Sequence, residues 1–442
     1  MENHQTATSW IRESVLLKLV FIVFIALLLL IPSSWIDSLI RERLRRQKEV
    51  LEDVSDKWSG SQLIQGPVLV IPYKLKYSVT NTANQIEVKQ TIQNLYVLPE
   101  NLKMKAHVNT TNRHRGIFNV GVYNASLNLT GNFSRADIAK LQIDTANLML
   151  DKARLVFGLS DLKGLKANPA INIANQSITV EPILNGELLD NGLQASVDLS
   201  TGTSNIPFSF NLDLKGSQDL SFIHTGKNTQ VEVSGNWASP KFNGRYLPDT
   251  SHIDKQGFSA NWHMLYYNRP FPQQWAGNDT LLNKLKNKKD ALFGVELHIQ
   301  VDEYQKTMRT SKYAILIILL TFVSLFLTEV IQKHKVHVFN YALIGAAMIV
   351  FYTLLLSFSE HIGYNRAYLI SAVATITLIT WFIASLLTNT KAAYMFGGIL
   401  SLFYGFVFII IQLEDLSLLM GSIALFIIVS TLMYFSRKIS WE

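Results

Sequence analysis

Leu19-Val20-Phe21-Ile22-Val23-Phe24-Ile25-Ala26-Leu27-Leu28-Leu29-Leu30-Ile31-Pro32 is the stretch on which the reading of this chain turns. With its flanks, from about 15 to 35, it offers roughly twenty apolar residues, enough to cross hydrocarbon as a helix. No small-x-small cleavage site follows, because Pro32, Ser33, Ser34 and Trp35 come next. The segment therefore reads as a retained anchor rather than a signal peptide. Comparable apolar runs return only near the other end, at about 313–331, 338–358, 367–387, 393–411 and 416–435. Everything between is polar and patterned quite differently.

In the middle region apolar residues alternate with polar ones. Phe118, Val120 and Val122 do so, as do Phe208, Phe210, Leu212 and Leu214, then Val231 with Val233, and Val295, Leu297, Ile299 and Val301. Period-two alternation bounded by Gly and Asn means half-buried antiparallel strands. Turn signals such as Asn185-Gly186 and Asp190-Asn191-Gly192 separate them. Before the strands, Ile36, Ile40, Leu44, Leu51, Val54 and Trp58 fall at helical spacing, a stalk that continues the first span.

The sequence thus predicts an α-helical membrane protein with a large β-rich extracytoplasmic domain, one N-terminal span and five C-terminal spans. Residues 1–36 form a cytoplasmic N-terminus and first span, and 37–59 a helical stalk. Residues 60–312 form a periplasmic β-rich domain, and 313–442 a five-span bundle.

Charge sets the expected orientation. Among short loops, those with Lys333 and Lys335, with Lys391, and with Arg437 and Lys438 are basic, whereas Glu414 and Asp415 are acidic. Basic short loops stay in the cytoplasm, so Glu360 and the β domain are expected outside. The run Arg41–Lys48 opposes this, but long translocated domains largely ignore the rule. The net charge of +7 is spread thinly over 442 residues. No concentrated basic stripe exists, so nucleic acid is not expected as a partner. The chain has no cysteine, which excludes disulfides, thiolate metal sites and cysteine nucleophiles. An envelope-facing chain without cysteine points to a bacterium.

Standard catalytic signatures are missing: no P-loop, G-x-G-x-x-G, H-E-x-x-H or G-x-S-x-G occurs. Ser160-Asp161-Leu162-Lys163 matches S-x-x-K in form but sits beside Gly158 and Gly164 after a strand-like run, which favours a turn. His334 and His337 read as a solvated loop rather than a metal pair. Glu329 should snorkel to water from the end of its helix. Trp237, Trp262, Trp275, Tyr266, Tyr267 and Phe271 form an aromatic-rich stretch. It suits a core, a glycan or lipid headgroups. Gly397, Ser401 and Gly405, spaced four apart, are a candidate helix-packing seam. No catalytic residue, cofactor or metal ligand is assigned.

One constellation stands out. Asp302, Tyr304, Lys306, Arg309 and Lys312 crowd the point where the domain meets the second span. Glu360 and His361 should emerge on the same side two spans later. Pairing of Glu360 with Arg309 or Lys312 would couple the domain to the bundle. The plainer alternative puts all of them among headgroups, with Tyr304 and Tyr313 as interface anchors. Charges near a bilayer also mark ion or proton paths.

The chain resembles the CreD family of bacterial inner-membrane proteins. The resemblance rests on Gly66-Pro67 with Ile71-Pro72, Arg115-Gly116-Ile117-Phe118, Gly235-Asn236-Trp237, Gly257-Phe258 with Trp262, Val301-Asp302-Glu303-Tyr304-Gln305-Lys306-Thr307 and Ser357-Phe358-Ser359-Glu360-His361. Gln300 and Val338 stand where the family usually has Pro. The resemblance implies an inner-membrane protein tied to cell-envelope integrity and stress response, with a link to two-component regulation. It implies no reaction or cofactor. The expected role is therefore non-enzymatic: supporting or sensing the envelope through the periplasmic domain. The expected partners are the bilayer and an envelope lipid, glycan or protein. The alternative is a transporter or lipid-handling protein that uses the five-span bundle.

Overall fold

The computed structural model describes residues 15–80, 86–139, 143–174, 176–184, 188–200, 205–277, 291–297, 302–332, 336–387, 389–413, 419–423, 426, 430 and 433. The chain divides into two compact units, one of Glu49–Ile299 and one of Met1–Lys48 with Gln300–Glu442.

The second of these is helical. It begins with α1 (Val15–Leu28) and the first part of α2 (Leu30–Trp58), then continues after the β unit, which itself holds the short α3 (Arg135–Ala139). There follow α4 (Asp302–Lys312), α5 (Ala314–Gln332), α6 (Val338–Ile362), α7 (Tyr364–Leu386) and α8 (Thr390–Gln412). Among the described residues, five helical segments are long and apolar enough to cross a membrane: Lys18–Trp58, α5, α6, α7 and α8. The expected last span, 416–435, falls largely outside the described residues.

The break at Leu29 has a chemical cause. Pro32 lacks the amide that would bond the carbonyl of Leu28, one turn earlier. The ladder resumes at once, with the Ser33 amide bonding the Leu29 carbonyl at 3.3 Å. A Cβ at Gly345 would overlap the Leu29 side chain, so glycine lets α1 and α6 approach closely there. Phe322, Phe351 and Phe396 are fully buried between helices, whereas Phe24, Trp381 and Leu402 point outward. Apolar residues all round a helix suit a lipid-facing outer surface.

The β unit consists of two sheets. The first runs β13 (Lys241–Gly244), β17 (Leu292–Glu296), β11 (Asp219–Ile223), β1 (Gln62–Thr80), β5 (Ala153–Leu159), β9 (Asn191–Val197) and β8 (Glu181–Leu184). In addition, β2 (Ile86–Val97) pairs with β1, and β16 (Gln274–Ala276) with β2. The second sheet runs β14 (Thr250–Ile253), β15 (Phe258–Leu265), β12 (Asn228–Gly235), β3 (Asn101–Arg115), β4 (Phe118–Ser134), β10 (Asn205–Ser217), β6 (Ala170–Ile173) and β7 (Gln176–Thr179). The pairs β1/β11 and β12/β3 are parallel; the other pairings are antiparallel.

The alternating residues do what their period requires. Phe208, Phe210, Leu212 and Leu214 of β10 all point into the core, as do Val231, Val233 and Val295. Phe157 of the first sheet stacks on Phe210 of the second with ring centroids 4.7 Å apart. Each such fully buried side chain contributes about 1.5–3 kcal/mol of transfer free energy.

Alternation fails in Val68-Leu69-Val70-Ile71, where every side chain is buried. The reason is a second core on the far face of the first sheet. There Val68 and Val70 join Tyr96, Val156, Leu189 and Trp275. A strand covered on both faces reads as a continuous apolar run. Just before it, Gly66 adopts φ +100° beside the cis Gly66–Pro67 bond, a backbone region that favours glycine. The β1/β5 register shifts there, between Gln65 and Val68.

The exposed face of the second sheet carries amide pairs across neighbouring strands. Asn101 donates to Asn132 at 3.1 Å, and Asn132 to Asn205 at 2.7 Å. Asn128 donates to Asn211 at 2.7 Å, and Asn236 to Asn109 at 2.9 Å.

Candidate functional site

In the helical unit, polar side chains collect at two places. The first is Glu360, near the end of α6, with 10% of its side chain exposed. Its Oε1 accepts the Tyr304 hydroxyl at 3.0 Å and lies 3.5 Å from Nε of Arg43 on α2. Tyr304 is itself buried. Burial first, and then the Glu360 carboxylate, push its phenol far above the ordinary tyrosine value. One turn and a half further along α4, Thr310 hydrogen-bonds Tyr364, the first residue of α7, at 2.7 Å. Tyr304, Thr307 and Thr310 form the buried face of α4, three and six residues apart, as helical geometry demands.

The second place is Glu329, near the end of α5. It forms an ion pair with Lys18 of α1. Its Oε2 accepts the Tyr341 hydroxyl from the first turn of α6 at 3.1 Å. Lys18 also donates to the Val336 carbonyl at 2.5 Å and lies 5.8 Å from the Tyr341 ring centre. Glu329 is buried. The expectation that it snorkels to water is therefore corrected: a cation and a phenol on neighbouring helices satisfy it inside the protein.

These contacts distinguish the two ends of the bundle. Lys18, Glu329 and Tyr341 share one end, where Asn389 before α8 also donates to Gln332 at 3.3 Å. Arg43, Tyr304, Glu360 and Tyr364 share the other, where Gln412 donates to Asn365 at 2.5 Å. The helices thus alternate in direction.

A third cluster lies wholly in the β unit, where the end of α2 is fixed to strands. Asp161 accepts from the Ser59 hydroxyl at 2.9 Å, the Gly60 amide at 3.1 Å and the Lys163 amide at 3.0 Å. Burial opposes ionisation of Asp161, but these donors win and hold its carboxyl below the ordinary value. Lys163 reaches Asp56 at 2.9 Å, and Arg115 pairs with Asp53. Arg113 and Lys215 sit 5.1 and 4.8 Å from the Trp58 ring centre. Ser160 donates to the Ser61 carbonyl at 2.6 Å and accepts the Leu63 amide at 2.9 Å. Ser160 and Lys163 are thus spoken for separately, and the S-x-x-K string is a turn that anchors the stalk.

Of the residues singled out from sequence, Tyr304 and Glu360 are brought together. Asp302 opens α4, while Lys306 and Arg309 are half-buried along it. Lys312 and His361 are exposed. The ion pair to Glu360 comes from Arg43, which the sequence reading mentioned only as an orientation anomaly. Lys18 and Tyr341 were likewise missed. Lys18, a lone cation in an apolar run, was the available signal. Gly397 is buried, and a Cβ there would meet Thr380 of α7 at 2.5 Å. Ser401 and Gly405 are exposed, and a Cβ at Gly405 would meet nothing within 4 Å. Trp262, Trp275 and Phe271 are buried, and Trp237 packs against the core, but Tyr267 is exposed. His337 caps α6, its Nδ1 accepting the Phe339 amide at 3.2 Å, and His334 lies outside the described residues. Among the described residues no cluster of His, Asp and Glu could hold a metal.

A family profile described as inner membrane protein CreD matches residues 14–442. The chain is also 30% identical over 421 residues to the inner membrane protein CreD of Escherichia coli (strain K12), covering 94% of this chain and 91% of that protein. A near-complete match of this kind, on a chain with several apolar helices, makes this a multi-pass inner-membrane protein and a member of the CreD family.

Proposed function

We propose that this protein supports or senses the integrity of the cell envelope, with its β unit in the periplasm and its N-terminus in the cytoplasm. The observation that carries the reading is the node at Glu360. The chain leaves the helical unit along α2 and re-enters it at α4. Arg43 of α2 and Tyr304 of α4 both bind the one carboxylate. Any load on the β unit that turns or pulls either connection changes the environment of Glu360 and hence of α6. The far end of α2 is bonded to Asp161 and its neighbours, so it moves with the strands rather than flexing against them. This is a transmission device, and it needs no chemistry.

Orientation follows from the short basic loops. Lys391 lies just inside α8, at the Glu329 end, and Lys333 and Lys335 follow the end of α5 in the sequence. The positive-inside rule puts that end in the cytoplasm. The Glu360 end then faces the periplasm. A stress-response role and a regulatory link to a two-component system fit a protein that reports envelope state. A partner would be an envelope lipid, glycan or protein meeting the β unit.

The test is genetic and direct. A strain lacking this protein is complemented with the wild type or with Glu360→Lys, at matched membrane levels, and challenged with detergent and a cell-wall antibiotic. Glu360→Lys should fail to restore resistance. Full complementation by that variant would end the coupling reading.

A further inference from the structure

The far face of the first sheet holds a cavity of about 270 Å³. It spans five adjacent strands, in the order β2, β1, β5, β9 and β8. Register explains which residues reach it. Val70 lies opposite Tyr96 on one side and Arg154 on the other, and Val156 lies opposite Gln194. Among the described lining residues, Val70, Tyr96, Val156, Ile183, Leu188 and Leu189 are apolar, but polar atoms make up slightly more than half of the lining surface. Asn94, Gln194 and Arg154 supply the polar groups.

Arg154 is the unusual member. Among the described residues that line the cavity, none is acidic. Its Nε is fully buried and has no hydrogen-bond partner. Arg154 is half-buried as a whole, and a guanidinium carries five donors and cannot lose its charge, so leaving one of those donors buried and unmet has a cost. Structural arginines in such places are paired. This one stands beside an open cavity that accepts about nine groups the size of water, at roughly 30 Å³ each.

We propose that this cavity binds a small anionic amphiphile, with one carboxylate or phosphate on Arg154 and a short apolar body against Leu188, Leu189 and Ile183. Two amides, from Asn94 and Gln194, complete the polar end. Small-molecule sites combine apolar side chains with a few convergent polar groups, and this cavity has both, with a larger polar share than usual. A forked guanidinium is the usual partner of carboxylate and phosphate.

The full-length protein in nanodiscs of zwitterionic lipid is titrated calorimetrically with hexanoate, hexyl phosphate, 1-hexanol and inorganic phosphate. Empty nanodiscs give the partitioning background. At least one of the two anionic amphiphiles should bind saturably at one site per chain, and hexanol at least tenfold more weakly. Which of them binds, and whether inorganic phosphate competes, tells a carboxylate from a phosphate ligand. Arg154→Met should weaken binding about ten- to hundredfold, whereas Arg154→Lys should keep much of it. Because the Arg154 Nε has no partner to lose, the Met variant should melt no earlier than the wild type. If Arg154→Met fails to fold, Ile183→Trp, which fills the cavity from the edge strand, should abolish binding. Absence of saturable binding by both anions, equal binding of hexanol, or undiminished binding in a folded Arg154→Met or Ile183→Trp protein overturns the proposal.

Discussion

Tyr304 donates its phenolic hydrogen to Glu360 across 3.0 Å, and so fastens the first turn of α4 to the last turn of α6. Tyr304 is buried and Glu360 nearly so, with 10% of its side chain exposed, so water competes little for the bond. An unsatisfied buried carboxylate costs several kcal/mol, so this contact and the Arg43 pair hold each other in place.

Reversing the charge at this position should show as much. Glu360→Lys sets two cations together and strands the Tyr304 hydroxyl. Breaking a buried pair costs about 3–5 kcal/mol, but Arg43 is about one-third exposed. We therefore expect a loss nearer 2 kcal/mol, read as reduced resistance to denaturation of the purified protein in detergent. The double variant Arg43→Glu with Glu360→Lys should recover part of it. A double variant no more stable than the single one would show that Arg43 and Glu360 do not interact.

Topology is open to a chemical test on this cysteine-free chain. Cysteine at His361, which is exposed and beside the node, should react with a membrane-impermeant maleimide in spheroplasts. Cysteine at Lys391 should react only after permeabilisation. The reverse pattern would put the β unit in the cytoplasm.

Asp161 carries a different prediction, because it serves as a latch rather than a node. It gathers three donors at the foot of the stalk. Charge-assisted bonds of this kind are worth about 1.5–3 kcal/mol each and do not sum. Asp161→Ala should therefore destabilise the β unit by about 2–4 kcal/mol, and should speed proteolysis around residue 59 in limited digestion. Asp161→Asn, which keeps an acceptor, should cost less. Cleavage unchanged in the Ala variant would mean the stalk is held by Trp58 and the serines alone.

Acid should act on the β unit in two separate windows. His224 is completely buried. Burial first, and then the neighbouring Arg269 cation, lower its pKa from 6.5 to about 4. The unfolded chain therefore takes up this proton at a higher pH than the folded one. The resulting stability is whole above about 6.5, declines as pH falls towards 4, and is fully lost below that. It amounts to about 3 kcal/mol, from the 1.36 kcal/mol per unit of linkage. Asp161, held below the ordinary carboxylate value, adds its own loss only at still lower pH. Denaturation followed from pH 7 to pH 4 should lose its slope in His224→Phe, a ring of similar size. A wild-type protein equally stable at both ends of that range would exclude the effect.

Much of the architecture was legible because membrane and sheet impose such different periods. A run of uninterrupted apolar residues and a run of strict alternation cannot be confused. The site was less legible. Tyr304 and Glu360 drew attention as a phenol and a charge at a membrane boundary. The other partner of Glu360, Arg43, lies 317 positions before it in the sequence, and nothing in a local pattern reports such a distance. The same holds for Lys18 and Glu329. Helix packing decides these pairs, and it depends on which faces meet. Arg154 was invisible for another reason: in sequence it is an ordinary polar residue at the head of an apolar strand, Ala153–Leu159. Only the second core on the far side of the sheet turns its outward face into an interior.

The asparagine pairs on the open face of the second sheet have a consequence for the medium in which the protein works. A surface laced with lysines and glutamates changes its internal forces when salt rises and the Debye length shrinks, or when carboxylates take up protons. Amide pairs such as Asn128 with Asn211 and Asn132 with Asn205 hold no charge to screen and no proton to exchange. Their bonds keep the same strength in dilute and in concentrated electrolyte. These contacts hold their geometry while the ionic composition around them drifts, and leave the response to salt to charged neighbours on the same face such as Lys105 and Glu232.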